Sequence, residues 1–398
     1  MTSDLTDDGG DAASADHDGV GTAAIDRPLA PDEVTAIVGA ITTAAAPGGA
    51  TPIQDMVVRA LADVLTGTQI SSEGCPLITP DQLAATLDAH ERSDALRHRI
   101  VRYMSLVALL VEQIPEGMVE RIDAYAAAMG LGTTCRDVLG GSPADATNAV
   151  LGDFARNGYA DEFMARGRVA VLHTDDDLTT GWQVVDDDSS LARRWDDLAD
   201  LPADSLGRAV HDFYRSRAFV VPGRPDSAPP LLAQHDWVHV LADFGTRVEC
   251  EIEVFALIAE SDDDPRSFSL LAMIIGLFAT GSVDHAAGIF DADTGHLDTP
   301  AMATRLADAL RRGSVATRPD GRRSGGLLAS DWFAVADQPV TEVRRRCRLG
   351  PKTPAAVAAG SASTWSWAGL SDYQRAHCDL DVLAARAAEA TGDGGETT

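Results

Sequence analysis

Four side chains in the stretch LLAQHDWVHVLADFGTRVECEIEVFALIAE (231–260) have the types and spacing to hold a metal. His235 and His239 are four apart, so on a helix they stack on one face. Asp236, three before His239, can turn toward the same point. Glu251 follows twelve residues after His239. On one unbroken helix it would lie about 18 Å further along and about 120° round, too far to join them. The sequence offers a break. Gly245 suits a left-handed helix end, Thr246 an N-cap, and Glu249 the return arm of a capping box. A second helix starting there folds back and presents Glu251 to the His235–Asp236–His239 turn. Two imidazoles with one or two carboxylates form a borderline-hard ligand set for a divalent metal, zinc first, with iron and manganese as alternatives.

The same residues also fit a surface helix with polar side chains at i, i+1 and i+4, followed by acidic first-turn residues that complement the helix dipole. The flanks LLAQ and VLADF are apolar, which favours an inward-facing group. Cys250, beside Glu251, is either a buried apolar filler or an additional soft ligand. Other catalytic signatures are missing from the sequence: there is no GxSxG elbow, Walker A, HExxH or complete GxGxxG. DADTG at 291–295 puts its glycine fifth where a calcium loop needs it sixth, so it reads as a turn.

The spacing H-D-x2-H-x11-E over His235, Asp236, His239 and Glu251 resembles the signature of the coenzyme Q (ubiquinone) biosynthesis protein four family. LPADSLGRAVHDFYRSRAF (201–219) is similar to that family's LP-x-x-x-LG-x-A helix. ALRRGSVATRP (309–319) and LLASDWFAVADQPVTEVRRRCRL (327–349) resemble its arginine-rich helix and closing W-x(n)-P-x-x-E-x-R segment. The resemblance covers about 200–350 and departs from the family at Asp243 and Cys250, where glycine is expected. It implies a metal-dependent step of ubiquinone biosynthesis, a lyase or oxidoreductase reaction. That step is oxidative replacement of the C1 carboxyl of a polyprenylated hydroxybenzoate. The alternative it implies is a non-catalytic scaffold that gathers a lipid precursor and other quinone-biosynthesis proteins at a membrane surface.

The elements that must position these groups read as all-α. Pro31, Pro52 and Thr79-Pro80 mark helix starts, Gly67 marks a stop, and SDALRHRIVRYMSLVALLVEQI and MVERIDAYAAAMGLG keep a 3.6-residue period. Residues 28–160 therefore predict a bundle of about five helices, faintly similar to the small tellurite-resistance TerB-type domains. The polar ends, 1–27 and 387–398, read as disordered tails. At 165–190 the runs VAVLH and WQVV flank DDDLTTG and predict a short β-hairpin or an irregular connector. The helical metal-binding domain is then expected over 191–355. LLAMIIGLFATG (270–281) reads as a core helix, with a lipid-accessible tunnel lining as the alternative. His285, next to Asp284, reads as structural unless it approaches the site.

With 398 residues the chain can form two or three compact domains, and 61 Asp+Glu against 32 Lys+Arg leave it at −29. Such a surface repels phosphate backbones, which disfavours nucleic acid as a partner. An arginine-rich island at 311–348 stands out against that charge. It serves either internal carboxylates or an anionic partner. In the second case Arg344, Arg345 and Arg346 are the candidate substrate-binding residues. Five scattered cysteines without a CxxC pair argue against a disulfide framework and against a zinc ribbon. The N-terminus lacks a signal-peptide pattern, and the longest apolar runs fall short of the roughly 20 residues that span a bilayer. The expectation is a cytoplasmic protein, at most peripheral to the membrane.

Overall fold

The computed structural model describes residues 28–110, 117–132, 188–225, 227, 230–262, 267–268, 271–272, 274–275 and 297–391. The expected N-terminal tail, the connector before Asp188, His285 and the 291–295 turn lie outside the described residues. So does the 270–281 run, apart from Leu271, Ala272, Ile274 and Ile275, which are buried. Among the described residues the chain is all-α, with no strand and one isolated bridge between Ser205 and Pro339. No helix there is long and apolar enough to cross a membrane.

In the N-terminal region the helices begin and end where the sequence punctuates them. These are α1 (Pro31–Ala45), α2 (Pro52–Thr66), α3 (Pro80–Ala89), α4 (Asp94–Ala108) and α5 (Met118–Ala128). Thr51 and Gln54 close a capping box ahead of α2, and Thr79 and Gln82 do the same for α3. Gly67 stops α2 at φ 76°, a left-handed conformation that suits a residue without Cβ. Ile37, Ile41, Leu61, Ile100 and Ile122 fill the space between the five helices.

The C-terminal region runs α6 (Ser189–Asp196), α7 (Leu206–Arg217), α8 (Pro230–Ala242), α9 (Val248–Ser261), α10 (Pro300–Val315), α11 (Val340–Arg346), α12 (Pro354–Ala358), α13 (Asp372–His377) and α14 (Leu380–Thr391). Its centre is α9, in which every residue from Val248 to Ser261 is buried. Four of those residues are glutamates, and an unmatched buried carboxylate costs several kcal/mol (about 3–5 when a partner is removed). Each one is matched. Glu249 takes Arg247 at 2.9 Å, and Glu253 takes Arg305 of α10 at 2.7 Å. Glu260 pairs with Arg99 of α4, and Glu251 faces two histidines.

The Arg99–Glu260 pair also joins the two regions, which share one apolar core. Arg102 of α4 donates to Ala259 O and Asp262 O, both at 3.2 Å, and Gln69 donates to Thr304 of α10 at 2.7 Å. The metal-binding domain expected over 191–355 takes the counter-charge for its buried Glu260 from α4. It also lacks the residues after 355, which pack on it as α12–α14. The first residues of the expected C-terminal tail are helical. Residues 387–391 continue α14, because Arg386 one turn earlier anchors the helix to Asp212 of α7 at 2.7 Å and to Ala203 O at 2.7 Å.

Burial pushes the Asp212 carboxyl up, but the His211 hydrogen bond and the Arg386 and Arg208 guanidiniums outweigh it and hold it at about 2. A folded value below the unfolded one stabilises above the ordinary range near 3.8 and loses that effect as pH falls toward 2. Asp212→Asn is accordingly expected to loosen α14 at neutral pH. Its stability deficit against the parent should close between about pH 4 and pH 2 in urea titrations. A deficit independent of pH would mean that the carboxylate charge is not what anchors α14.

Candidate metal centre

The centre is built where α8 hands over to α9. His235 and His239, one turn apart on α8, point their Nε2 atoms at Glu251 on α9, with Oε2 at 3.4 Å and 3.2 Å respectively. The donor atoms of the three side chains all lie within 4.8 Å of one another, and all three residues are buried. This buried group could hold a metal ion. Two donors bound to one tetrahedral ion at about 2.1 Å lie about 3.4 Å apart, so the His–Glu spacings already suit zinc-like coordination. Three protein donors leave a further position open, as catalytic sites do.

Phe244 O lies 3.3 Å from His239 Nδ1 and accepts its proton, which leaves Nε2 for Glu251 or an ion. Burial pushes the Glu251 carboxyl up, yet His239 and His235 outweigh it and bring it to about 2, the ionised form that a metal needs. Aromatic rings fix both imidazoles. His239 stacks on Phe213 of α7 at 5.7 Å, and His235 stacks on Phe255 of α9 at 5.1 Å.

Asp236 departs from the four-ligand expectation. One position on from His235 it points about 100° round the helix, toward α7. There its Oδ2 accepts the Tyr214 hydroxyl at 2.5 Å. Its Oδ1 comes to 3.6 Å from His235 Nε2, but Asp236 is not among the three mutually close donors. Burial, ahead of every other influence, raises its carboxyl. Cys250 faces the other way, its sulfur 3.5 Å from Arg305, and burial first and Glu253 second push its thiol up to about 12.

The turn between the helices is made differently from its sequence expectation. The left-handed residue is Asp243 at φ 61°, and Phe244 N returns to His239 O at 3.0 Å in a Schellman-type closure. Asp243 thus occupies a position whose backbone favours glycine, and aspartate tolerates it. Gly245 is needed for close approach instead, since a Cβ there would sit 2.5 Å from the Gly369 backbone. The N-cap of α9 is Arg247, without a side-chain cap bond, because Thr246 turns its hydroxyl to Gln374 Oε1 at 2.5 Å. Glu249 pairs with Arg247 and closes no capping box.

Two arginines of the island serve the C-terminal end of α8. Arg344 donates to Leu241 O at 2.7 Å and Val240 O at 3.0 Å, and Arg312 donates to Ala242 O at 2.7 Å. Cations at these orphan carbonyls complement the negative end of α8. Arg346 donates to Gln338 at 2.7 Å and Pro319 O at 2.9 Å, while exposed Arg345 pairs with Glu342 at 2.6 Å.

Tyr214 and Arg217 did not stand out in the sequence, although both lie in the 201–219 stretch that resembles the family's helix. Arg217 is buried over the Phe213 ring at 4.0 Å and donates to Thr246 Oγ1, Ser216 Oγ and Thr364 O. Burial lowers its guanidinium to about 9 against the pull of Asp236 and Glu251. Tyr214→Phe is expected to tighten metal binding, because it releases the Asp236 carboxylate, whose Oδ1 lies 3.6 Å from His235 Nε2, as a further anionic donor while keeping the ring. Metal titration by chelator competition reads this directly. An unchanged affinity would confine Tyr214 to packing. No protein-family model, curated protein or solved structure matches this chain.

Proposed function

We propose that His235, His239 and Glu251 hold a divalent metal, zinc first, with iron and manganese as alternatives. We further propose that the chain acts on a polyprenylated hydroxybenzoate, replacing the C1 carboxyl by hydroxyl: the ring acid, dioxygen and water give the phenol, carbon dioxide and hydrogen peroxide, dioxygen being the two-electron oxidant. One observation carries this reading: three buried donors from α8 and α9 meet at one point. They do so on a segment whose H-D-x2-H-x11-E spacing resembles the coenzyme Q biosynthesis family. When bound, the metal supplies a Lewis-acid charge that orients the ring oxygens and favours the phenolate.

The chain's own residues set the surroundings. Phe244 O keeps the His239 Nδ1 proton away from the centre, and Glu251 stays ionised. Phe213 and Phe255 wall the imidazoles from water, which strengthens every charge interaction between them. Arg217 offsets the negative charge of Asp236 and Glu251 from behind.

Elemental analysis of the purified protein, followed by aerobic incubation with a prenylated 4-hydroxybenzoate and mass spectrometry, tests the reading. The expected result is about one metal per chain and a product that has lost the carboxyl and gained a hydroxyl. Stoichiometric metal without product would favour the scaffold alternative, and a metal-free protein that binds none on titration would remove both.

A further inference from the structure

The turn that sets the spacing between the histidines and Glu251 is held chiefly by a segment far away in sequence. Gly245 N donates to Ala362 O at 3.1 Å, and Thr246 N and Arg247 N donate to Gly369 O at 2.6 Å and 3.1 Å. The Asp243 carboxylate accepts from Ser363 Oγ at 2.6 Å and Thr364 N at 3.1 Å. Residues 362–369 thus strap the turn from outside, and one side chain in the strap reaches a proposed ligand's own backbone.

That side chain is Thr364, which is fully buried at 0% exposure. Its Oγ1 lies 2.7 Å from His239 O and 3.0 Å from Phe244 O, so the hydroxyl spans the two carbonyls. Phe244 O is also the acceptor of the His239 Nδ1 proton. Thr364's own carbonyl is in turn pinned by Arg217 at 2.6 Å. The chain of contacts runs from Arg217 through Thr364 to the Phe244 carbonyl, and from there to the nitrogen of His239 that does not face Glu251.

We propose that Thr364 is a positioning residue of the centre: its hydroxyl fixes the Phe244 carbonyl on His239 Nδ1 and so aims Nε2 at Glu251. The inference deepens the metal reading and rests on it for its purpose, though its geometry stands without an ion. Partners of this kind orient the imidazole and the lone pair it offers, and their loss commonly weakens metal binding by about 10- to 100-fold.

Thr364→Val removes the hydroxyl at nearly constant shape, and Thr364→Ser keeps it. Two readouts are taken on the full chain: zinc affinity by chelator competition, and the exchange rate of the His239 Nδ1 proton by NMR in metal-free protein at one fixed pH. With valine, zinc binding is expected to weaken about 10- to 100-fold. The Nδ1 proton is expected to exchange about 5- to 10-fold faster, the share of one neutral hydrogen bond. Serine should restore both.

Valine that leaves both readouts unchanged, or serine that fails to restore them, would overturn the proposal. If the valine variant does not fold, the parent decides: a His239 Nδ1 without a protected proton in metal-free protein overturns it. If the parent binds no zinc, iron or manganese, the metal reading fails by itself, while the proton-exchange comparison still judges Thr364.

Discussion

His239→Ala is expected to leave the protein unable to retain metal, with an affinity loss of at least about 100-fold, beyond what the loss of an outer partner causes. His239 is fully buried and gives Nε2 to the point it shares with His235 and Glu251. Asp236 is held by Tyr214 and Glu253 by Arg305, so neither carboxylate is placed where the His239 imidazole is. Elemental analysis after dialysis measures the effect. Glu251→Gln provides the comparison, since it removes the charge but keeps the shape, and is expected to weaken the site with the helical signal retained. Stoichiometric metal in the alanine variant would place the ion elsewhere and detach the functional reading from this turn.

Arg305→Met is expected to destabilise the fold by about 3–5 kcal/mol, because it strands Glu253 as an uncompensated charge inside the protein. The pair is buried on both sides, with side-chain exposures of 8% and 1% at 2.7 Å, and it ties α10 to the fully buried α9. The thermal midpoint should fall by about 4–6 °C for a chain of this size. The double variant Arg305→Met/Glu253→Met should recover most of the loss. Replacing a whole buried pair by apolar side chains is often neutral, whereas breaking one is not. A double variant as unstable as the single would show that the cost comes from packing around Arg305 rather than from the stranded carboxylate.

The recovery arm also bears on the centre, because Glu253 is two residues from Glu251 on the same helix and faces the opposite way. α9 is therefore held by charge from both sides. Arg305 and Arg99 anchor it to α10 and α4, and the histidines engage it from α8. Metal retention in the double variant is expected to match the parent once stability returns. This separates α9's anchoring from the proposed donor role of Glu251.

Much of the fold's local grammar was legible in the sequence. Pro31, Pro52 and Thr79-Pro80 opened helices and Gly67 closed one, because a fixed φ, a missing donor and a side-chain cap act within a few residues. The convergence of His235, His239 and Glu251 was legible too. A four-residue step aligns two side chains on any helix, and a break before Glu251 was the one way to bring it back. The make-up of that break was not: a left-handed Asp243, and a Gly245 needed for its closeness to Gly369, depend on a strap more than a hundred residues later. Asp236 left the donor set because Tyr214 lies across from it on α7, a neighbour that spacing along the chain cannot supply.

The same holds for the buried charges of α9. The sequence presents Glu253 and Glu260 as acids in an apolar run, and only packing supplies Arg305 and Arg99 to match them. The arginine island was visible as charge, but its use at the carbonyls that end α8 follows from where α10 and α11 lie. Local backbone preferences and helical period act over a few residues, so the sequence by itself determined the helices and made the meeting of His235, His239 and Glu251 legible. Burial of charge and close backbone approach join distant segments, so only the tertiary structure decided which counter-ions, which strap and which fourth neighbour the triad would have.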